Sequence, residues 1–112
     1  MKKLYILLLS LITTASFSQA TDLFFSQYGE GSGNNKFLEI YNGTGQDVDL
    51  SNYAFPSVAN DPDVLGMHEY WNNFPEGAVV ANGDVYVIAH PNASDEIKAT
   101  ADHEHTYLSN GD

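Results

Sequence analysis

The sequence contains no cysteine and no arginine. Its 112 residues include only four basic side chains, Lys2, Lys3, Lys36 and Lys98, against 15 acidic ones, and the formal net charge is −11. Without cysteine there is no disulfide, no thiolate metal site and no cysteine nucleophile, so stability must come from packing. A surface this acidic repels nucleic-acid backbones and anionic membranes. We therefore expect one small domain that does not bind nucleic acid directly.

The longest apolar run lies at the N-terminus and is typical of an export signal. Two lysines precede an almost unbroken apolar run from Leu4 to Ile12, and small residues dominate positions 13–20. This order is that of a secretory signal peptide, and the run is too short to span a bilayer comfortably as a permanent anchor. Residues 1–20 are therefore predicted to be a signal peptide.

Removal of this segment defines the predicted mature domain, residues 21–112. The small residues allow cleavage after Ala20 or before Gln19. Two lysines and 15 acidic residues remain, so the net charge of the mature chain becomes −13. We expect a secreted, extracellular domain with no transmembrane anchor.

The first half of the mature chain is predicted to form short strands. Residues 23–28 and 36–42 are rich in aromatic and aliphatic side chains, and in the second run Leu38 and Ile40 share one face. That face is predicted to be the core face. The spacing of these and later strands, with turns between them, favours an all-β antiparallel sandwich.

The turn signals predict how these strands connect. Residues 42–46 tolerate positive φ and lead to Val48–Leu50, which predicts a hairpin between 36–42 and 48–50. Phe55-Pro56 is predicted to end this region because proline lacks a ladder donor. Residues 57–73 are predicted to form a long irregular loop.

Another turn and the most apolar strand follow. Residues 78–80 lead through Asn82-Gly83-Asp84 to Val85–Ala89, which is predicted to be central in its sheet. Ser94 is predicted to cap a short helix that ends near Ala101. A last strand is predicted to begin near Thr106.

A family resemblance rests on these same segments. The run from Tyr28 to Gly45, followed by Val48-Asp49-Leu50-Ser51-Asn52-Tyr53, resembles the bacterial lamin-tail domain, and residues 74–77, 81–89 and 106–112 resemble it in the same order. The resemblance implies an immunoglobulin-like β-sandwich without catalytic machinery, found in secreted bacterial proteins beside nucleases, phosphatases or surface-sorting domains. Gln27 departs from the pattern, since the family usually has glutamate there.

The C-terminal residues predict an incomplete sandwich. Asn110-Gly111-Asp112 is predicted to form a hairpin turn that needs a following strand, and members of the family continue into further strands. We expect the last strands to be missing and the chain to be the N-terminal part of a larger secreted protein, such as an extracellular nuclease or hydrolase. Exposed strand edges would then favour marginal stability or pairing with another chain.

Two groups of residues are weak candidates for metal ligands. Asp47 with Asp49, and Asp61 with Asp63, offer carboxylates for Ca²⁺ in loops, although neither pair matches an EF-hand loop. His103 and His105 share one face of an extended chain, and His68 or His90 could supply a third ligand if the fold brought it near. The alternative for both groups is a solvated polar surface.

The chain shows no constellation of catalytic residues, and we predict that it is not itself an enzyme. Gly29-x-Gly31-x-Gly33 lacks the ending of a phosphate-binding loop and is predicted to be a turn, and no serine lies in a nucleophile elbow. Glu30 and Glu39 could form an acid–base pair, but Glu39 is predicted to face solvent.

Three aromatic residues are the remaining binding candidates. Tyr70, Trp71 and Phe74 could form a platform for a sugar or a peptide, or could instead close one end of the sandwich. The sequence therefore predicts a non-catalytic secreted module for binding, spacing or targeting, whose partner is an unidentified protein or glycan. The alternative is a calcium- or glycan-binding extracellular module.

Overall fold

The computed structural model describes residues 19–58 and 62–108. Within them the chain forms eight strands and two short helices. The strands are β1 (Phe24–Glu30), β2 (Lys36–Tyr41), β3 (Val48–Asp49), β4 (Ala54–Ser57), β5 (Tyr70–Asn73), β6 (Val79–Val80), β7 (Val85–Ala89) and β8 (His103–Glu104). The helices are a 3-10 helix, Leu50–Asn52, and an α-helix, α1, Asp95–Lys98.

One layer is a four-stranded sheet with the order β1-β2-β7-β8. The β1–β2 and β2–β7 pairs are antiparallel, while β8 runs parallel to β7. The register of β1 shifts between Phe25 and Gln27, which leaves Ser26 as a bulge. The predicted central position of Val85–Ala89 is confirmed, because β7 has a neighbour on each side.

The second layer consists of two antiparallel pairs, β3 with β6 and β4 with β5. The hydrophobic core draws residues from both layers: Ile40, Leu50, Phe55, Val80, Tyr86, Ile88 and Leu108. The predicted all-β, immunoglobulin-like sandwich is confirmed. Ile40 is buried and Leu38 packs against the core, so the predicted core face of β2 is confirmed too.

The predicted hairpin between residues 36–42 and 48–50 is wrong. β3 pairs with β6, and Val48 lies opposite Val80 rather than opposite β2. The cause is Asn42, whose buried side-chain amide donates to the carbonyls of Gln46 and Val80 at 2.7 and 2.9 Å. These bonds direct the chain from the four-stranded sheet into the second layer.

The predicted end at Phe55-Pro56 is wrong, and so is the predicted loop over residues 70–73. β4 contains both Phe55 and Pro56 and pairs with β5. Proline is tolerated because β4 pairs with β5 alone among the described residues, and an edge strand can lack one donor. The predicted loop is wrong at Ser57 too, because β4 ends there, while residues 58 and 62–69 contain no strand or helix.

The segment after β7 differs in detail from its prediction. α1 ends at Lys98 rather than near Ala101, and Ser94 occupies the N-cap position without a side-chain hydrogen bond. The predicted strand near Thr106 is wrong for the described residues, because the chain turns at residues 106–108. The last described strand, β8, lies before Thr106.

Several predictions lie on residues outside the described ranges. Of the predicted signal peptide, residues 1–18 lie outside the described ranges and positions 19 and 20 lie inside them. The predicted open hairpin turn lies within residues 109–112, which are also outside. No helix among residues 19–58 and 62–108 is both long enough and apolar enough to cross a membrane.

Candidate binding surfaces

The acidic residues named as Ca²⁺ candidates are engaged in turns where the structure describes them. The Asp47 carboxylate accepts a bond from the Asn82 backbone N–H at 2.8 Å. The Asp49 carboxylate accepts from the Ser51 N–H at 2.7 Å and caps the 3-10 helix, and these hydrogen bonds lower the pKa of Asp49. Asp63 is exposed, and Asp61 lies outside the described ranges.

The two histidines of the His103-Glu104-His105 segment do lie together. Their ring centroids are 5.9 Å apart. The His105 ring packs edge-on against Phe55 at 5.2 Å, and its Nε2 lies 3.2 Å from Oδ1 of Asn72. Burial, with a smaller effect of His103, lowers the pKa of His105. His105 therefore links the C-terminal segment to the second layer.

The other two histidines occupy separate environments. His90 is buried, and its Nδ1 accepts a bond from the Asn92 N–H at 3.0 Å. The His68 ring packs edge-on against Trp71, with centroids 3.9 Å apart. Among the described residues, no three His, Asp or Glu side chains form a group that could hold a metal ion. Ca²⁺ binding and a histidine metal site stay predictions.

The glycine-rich segment is a tight connection between β1 and β2. Gly31 N–H donates to the Asn35 carbonyl at 2.8 Å, and the Asn35 side chain accepts from the Ser94 N–H at 2.8 Å. Glu30 pairs with Lys36 at 3.5 Å. These contacts hold a turn, and they place a carboxylate where a phosphate site would need positive charge.

Exposed apolar side chains concentrate in one segment of the chain. Ten large hydrophobic residues are exposed in the described part of the structure, and five of them lie between positions 64 and 71. They are Val64, Leu65, Met67, Tyr70 and Trp71, and together we call them the excursion surface. A concentration of exposed apolar residues is characteristic of an interaction site.

The three predicted aromatic candidates divide between core and surface. Phe74 packs edge-on against Phe55 and Tyr86, each at 5.5 Å, and so belongs to the core. Trp71 and Tyr70, in contrast, are 61% and 53% exposed. Phe74 therefore packs in the sandwich, whereas Tyr70 and Trp71 are neighbours in β5 and point to opposite faces of the strand. A platform for a sugar or a peptide stays a prediction.

The register of β5 sets the direction of the Trp71 ring. Asn72 lies opposite the buried Phe55, so Asn72 faces the core, and Trp71, opposite Pro56, faces outward. The Asn72 amide donates to Ser57 Oγ at 3.0 Å. Because alternate residues share a face, Asn73 faces outward with Trp71.

Comparison with known families agrees with this architecture. The family model described as Lamin Tail Domain matches residues 16–112. The chain belongs to the lamin tail domain family. No curated protein and no solved structure matches it. Lamin tail domains are immunoglobulin-like, non-catalytic modules, which fits the two-layer sandwich.

Sequence reasoning missed one residue on which this lamin tail domain depends. The sequence patterns place Asn42 at the end of a strand and the start of a turn, yet it is fully buried. Its Oδ1 accepts from Thr44 N–H at 3.0 Å and from Thr44 Oγ1 at 2.7 Å, while its amide bonds the two carbonyls described above. The only local signal is Asn-Gly-Thr, which predicts a turn but not burial.

Proposed function

We propose that this lamin tail domain is a non-catalytic binding module of an exported protein. The observation that carries the proposal is the excursion surface, which gathers five exposed apolar side chains within eight residues. Such exposure costs hydration free energy in an isolated domain, since each side chain would gain by burial. A binding partner that covers this surface removes the cost.

The chemistry around Trp71 favours a glycan as the ligand. The outward-facing indole offers a flat apolar ring, with His68 packed against it and Asn73 on the same face of β5. When a ligand binds on a flat aromatic ring, a large area is buried and few side-chain torsion angles are restricted. Amide groups supply hydrogen bonds to hydroxyl groups. This combination suits the apolar face and the hydroxyl rim of a sugar ring.

Affinity electrophoresis through gels that contain soluble polysaccharides tests this proposal. A bound polysaccharide slows migration of the protein, and Trp71→Ala should abolish most of that retardation. Tyr107→Ala is the matched control, because Tyr107 is a 73% exposed aromatic residue outside the excursion surface. Equal retardation of wild type and Trp71→Ala by every retarding polysaccharide would contradict the proposal.

Export and a larger parent protein are further parts of the proposal. Support for export comes from the lysines, apolar run and small residues of positions 1–20. Support for a parent protein, such as a nuclease or other hydrolase, comes from the resemblance to modules that accompany secreted enzymes. N-terminal sequencing of exported protein should give Thr21 or Gln19 as first residue, and a retained Met1 would contradict export by cleavage.

A further inference from the structure

The two residues that lie between the alternative cleavage positions, Gln19 and Ala20, contact the turn after β2. The Ala20 backbone N–H donates a hydrogen bond to the Gly43 carbonyl at 3.1 Å, and Ala20 is half-buried. Two glycines make room for this contact. A Cβ atom added at Gly43 would lie 3.3 Å from Cβ of Ala20, and one added at Gly45 would collide with Nε2 of Gln19. Gln19 and Ala20 are therefore part of the packed domain.

This contact distinguishes the two cleavage positions that the sequence allows. Cleavage after Ala20 removes both residues, and with them the bond to Gly43, whereas cleavage before Gln19 keeps both. The peptide bond between Ala20 and Thr21 also adjoins the residue that is held to the turn, and proteases cut segments that are free of such contacts. The bond before Gln19 precedes the held residue, so the fold favours cleavage there.

A glutamine at the start of a chain has a reaction that threonine does not have. A free α-amino group titrates at about pH 8, so part of it is a neutral nucleophile at neutral pH. Its nitrogen attacks Cδ of the same side chain, and the new N–Cδ bond closes a lactam ring. The Cδ–Nε2 bond breaks, and Nε2 leaves as ammonia with a proton from the amine. Both reacting groups belong to one residue, so their effective concentration is high.

The surroundings of Gln19 leave room for this ring closure. Gln19 is exposed, and its amide lies over Gly45, which has no side chain of its own. The hydrogen bond to the turn is made by the N–H of the next residue, Ala20, which takes no part in the reaction. The closed ring is more compact than the open side chain, so the space over Gly45 accommodates it.

We propose that the mature chain begins at Gln19, and that Gln19 closes to pyroglutamate on the turn formed by residues 43–45. The inference rests on the proposed export, since only removal of residues 1–18 exposes the amine of Gln19. Ring closure removes the positive charge of the terminus. It also removes the free amine that aminopeptidases require, which protects an exported chain from degradation at this end.

Mass spectrometry of the exported chain tests the proposal, after expression of the full precursor in a secreting host and ageing at neutral pH. The N-terminal fragment ions should begin at Gln19 and lack one ammonia. Acylation of amines should then modify Lys36 and Lys98 but not residue 19. The matched control is Gln19→Asn, whose side chain is one methylene too short to close an unstrained ring. It should begin at position 19, keep its ammonia and be acylated there.

Hydrogen exchange supplies a second readout, for the contact with the turn. The Ala20 amide should exchange more slowly in the folded mature chain than in urea, because it donates to Gly43. A mature chain that begins at Thr21, a free amine on Gln19 after ageing, or exchange of the Ala20 amide at the unfolded rate would each overturn the proposal. A chain that still begins at Met1 would contradict the proposed export as well, so the two failures are distinguishable.

Discussion

The Asn42 side chain joins segments that are far apart in the sequence of this domain. Its amide group and carbonyl oxygen together bond to Thr44, Gln46 and Val80, which connects β2, the following turn and β6. The Asn42 side chain is fully buried, and its bond to the Val80 carbonyl is buried as well, so the loss of that bond is costly.

Asn42→Ala should therefore lower the free energy of unfolding by about 3 kcal/mol, since the buried bond to the Val80 carbonyl is lost together with the bonds to Gln46 and Thr44. Urea denaturation followed by circular dichroism measures the change. The control Asn73→Ala removes an exposed amide from β5 and should stay within about 0.5 kcal/mol of wild type. Similar losses for the two variants would contradict the role given to Asn42.

His105 should make stability depend on pH in a defined direction. Burial and His103 lower its pKa from 6.5, so the folded state takes up this proton less readily than the unfolded chain. The contribution of neutral His105 is present above pH 6.5 and is lost as pH falls through the lower folded-state pKa.

Thermal unfolding at several pH values measures this effect as the difference in Tm between wild type and His105→Gln. The advantage of the wild type should shrink from about pH 7 to about pH 5. Hydrogen bonds lower the pKa values of Asp22 and Asp49 from 3.8, so their contribution is lost at more acidic pH. A constant difference in Tm would show that His105 does not titrate differently in the folded state.

At the scale of elements, local patterns predicted strands better than pairings. The apolar character of β2 and β7 was sufficient to locate both strands and the core face of β2. β3 and β6 have two residues each, and Val48 pairs with Val80 far along the chain, so no local signal revealed the pair. The Asn-Gly turn instead favoured a hairpin with the nearest strand.

The β4–β5 pair was missed for a different reason. Proline in β4 usually marks a strand end, and Tyr-Trp-Asn-Asn in β5 does not alternate polar and apolar residues. Tertiary contacts decide this pairing, since Phe55 is anchored by Phe74 and His105. Sequence patterns contain no information on such contacts.

Rates of native-state hydrogen exchange should differ between strands according to their burial and their number of neighbouring strands. Amides of β7 should exchange most slowly, because β7 is buried and lies between two strands. Amides of β5 should exchange much faster, because that strand is half exposed and belongs to a two-stranded pair. Faster exchange in β7 than in β5 would contradict the assigned sheet order.

The whole chain is strongly acidic, and its described part carries the apolar excursion surface. The excursion surface comprises three residues of the irregular segment before β5 and the first two residues of β5. The sequence identified Tyr70 and Trp71 as candidates, but not Val64, Leu65 or Met67. In an irregular segment the buried residues do not recur at a regular spacing, as they do in helices and strands. The sequence pattern therefore could not show which apolar residues stay exposed.

Family membership bears on the chemical role of this domain. Membership of the lamin tail domain family fits a module without catalytic residues.

The fluorescence of Trp71 tests the central proposal most directly, because it is the only tryptophan in the chain. Titration with a polysaccharide that retards the protein in gels should shift its emission to shorter wavelength and reduce quenching by acrylamide, since a stacked sugar shields the exposed indole. The same titration of Tyr107→Ala should give the same change. Unchanged emission and quenching while the polysaccharide is bound would show that Trp71 is not the binding site.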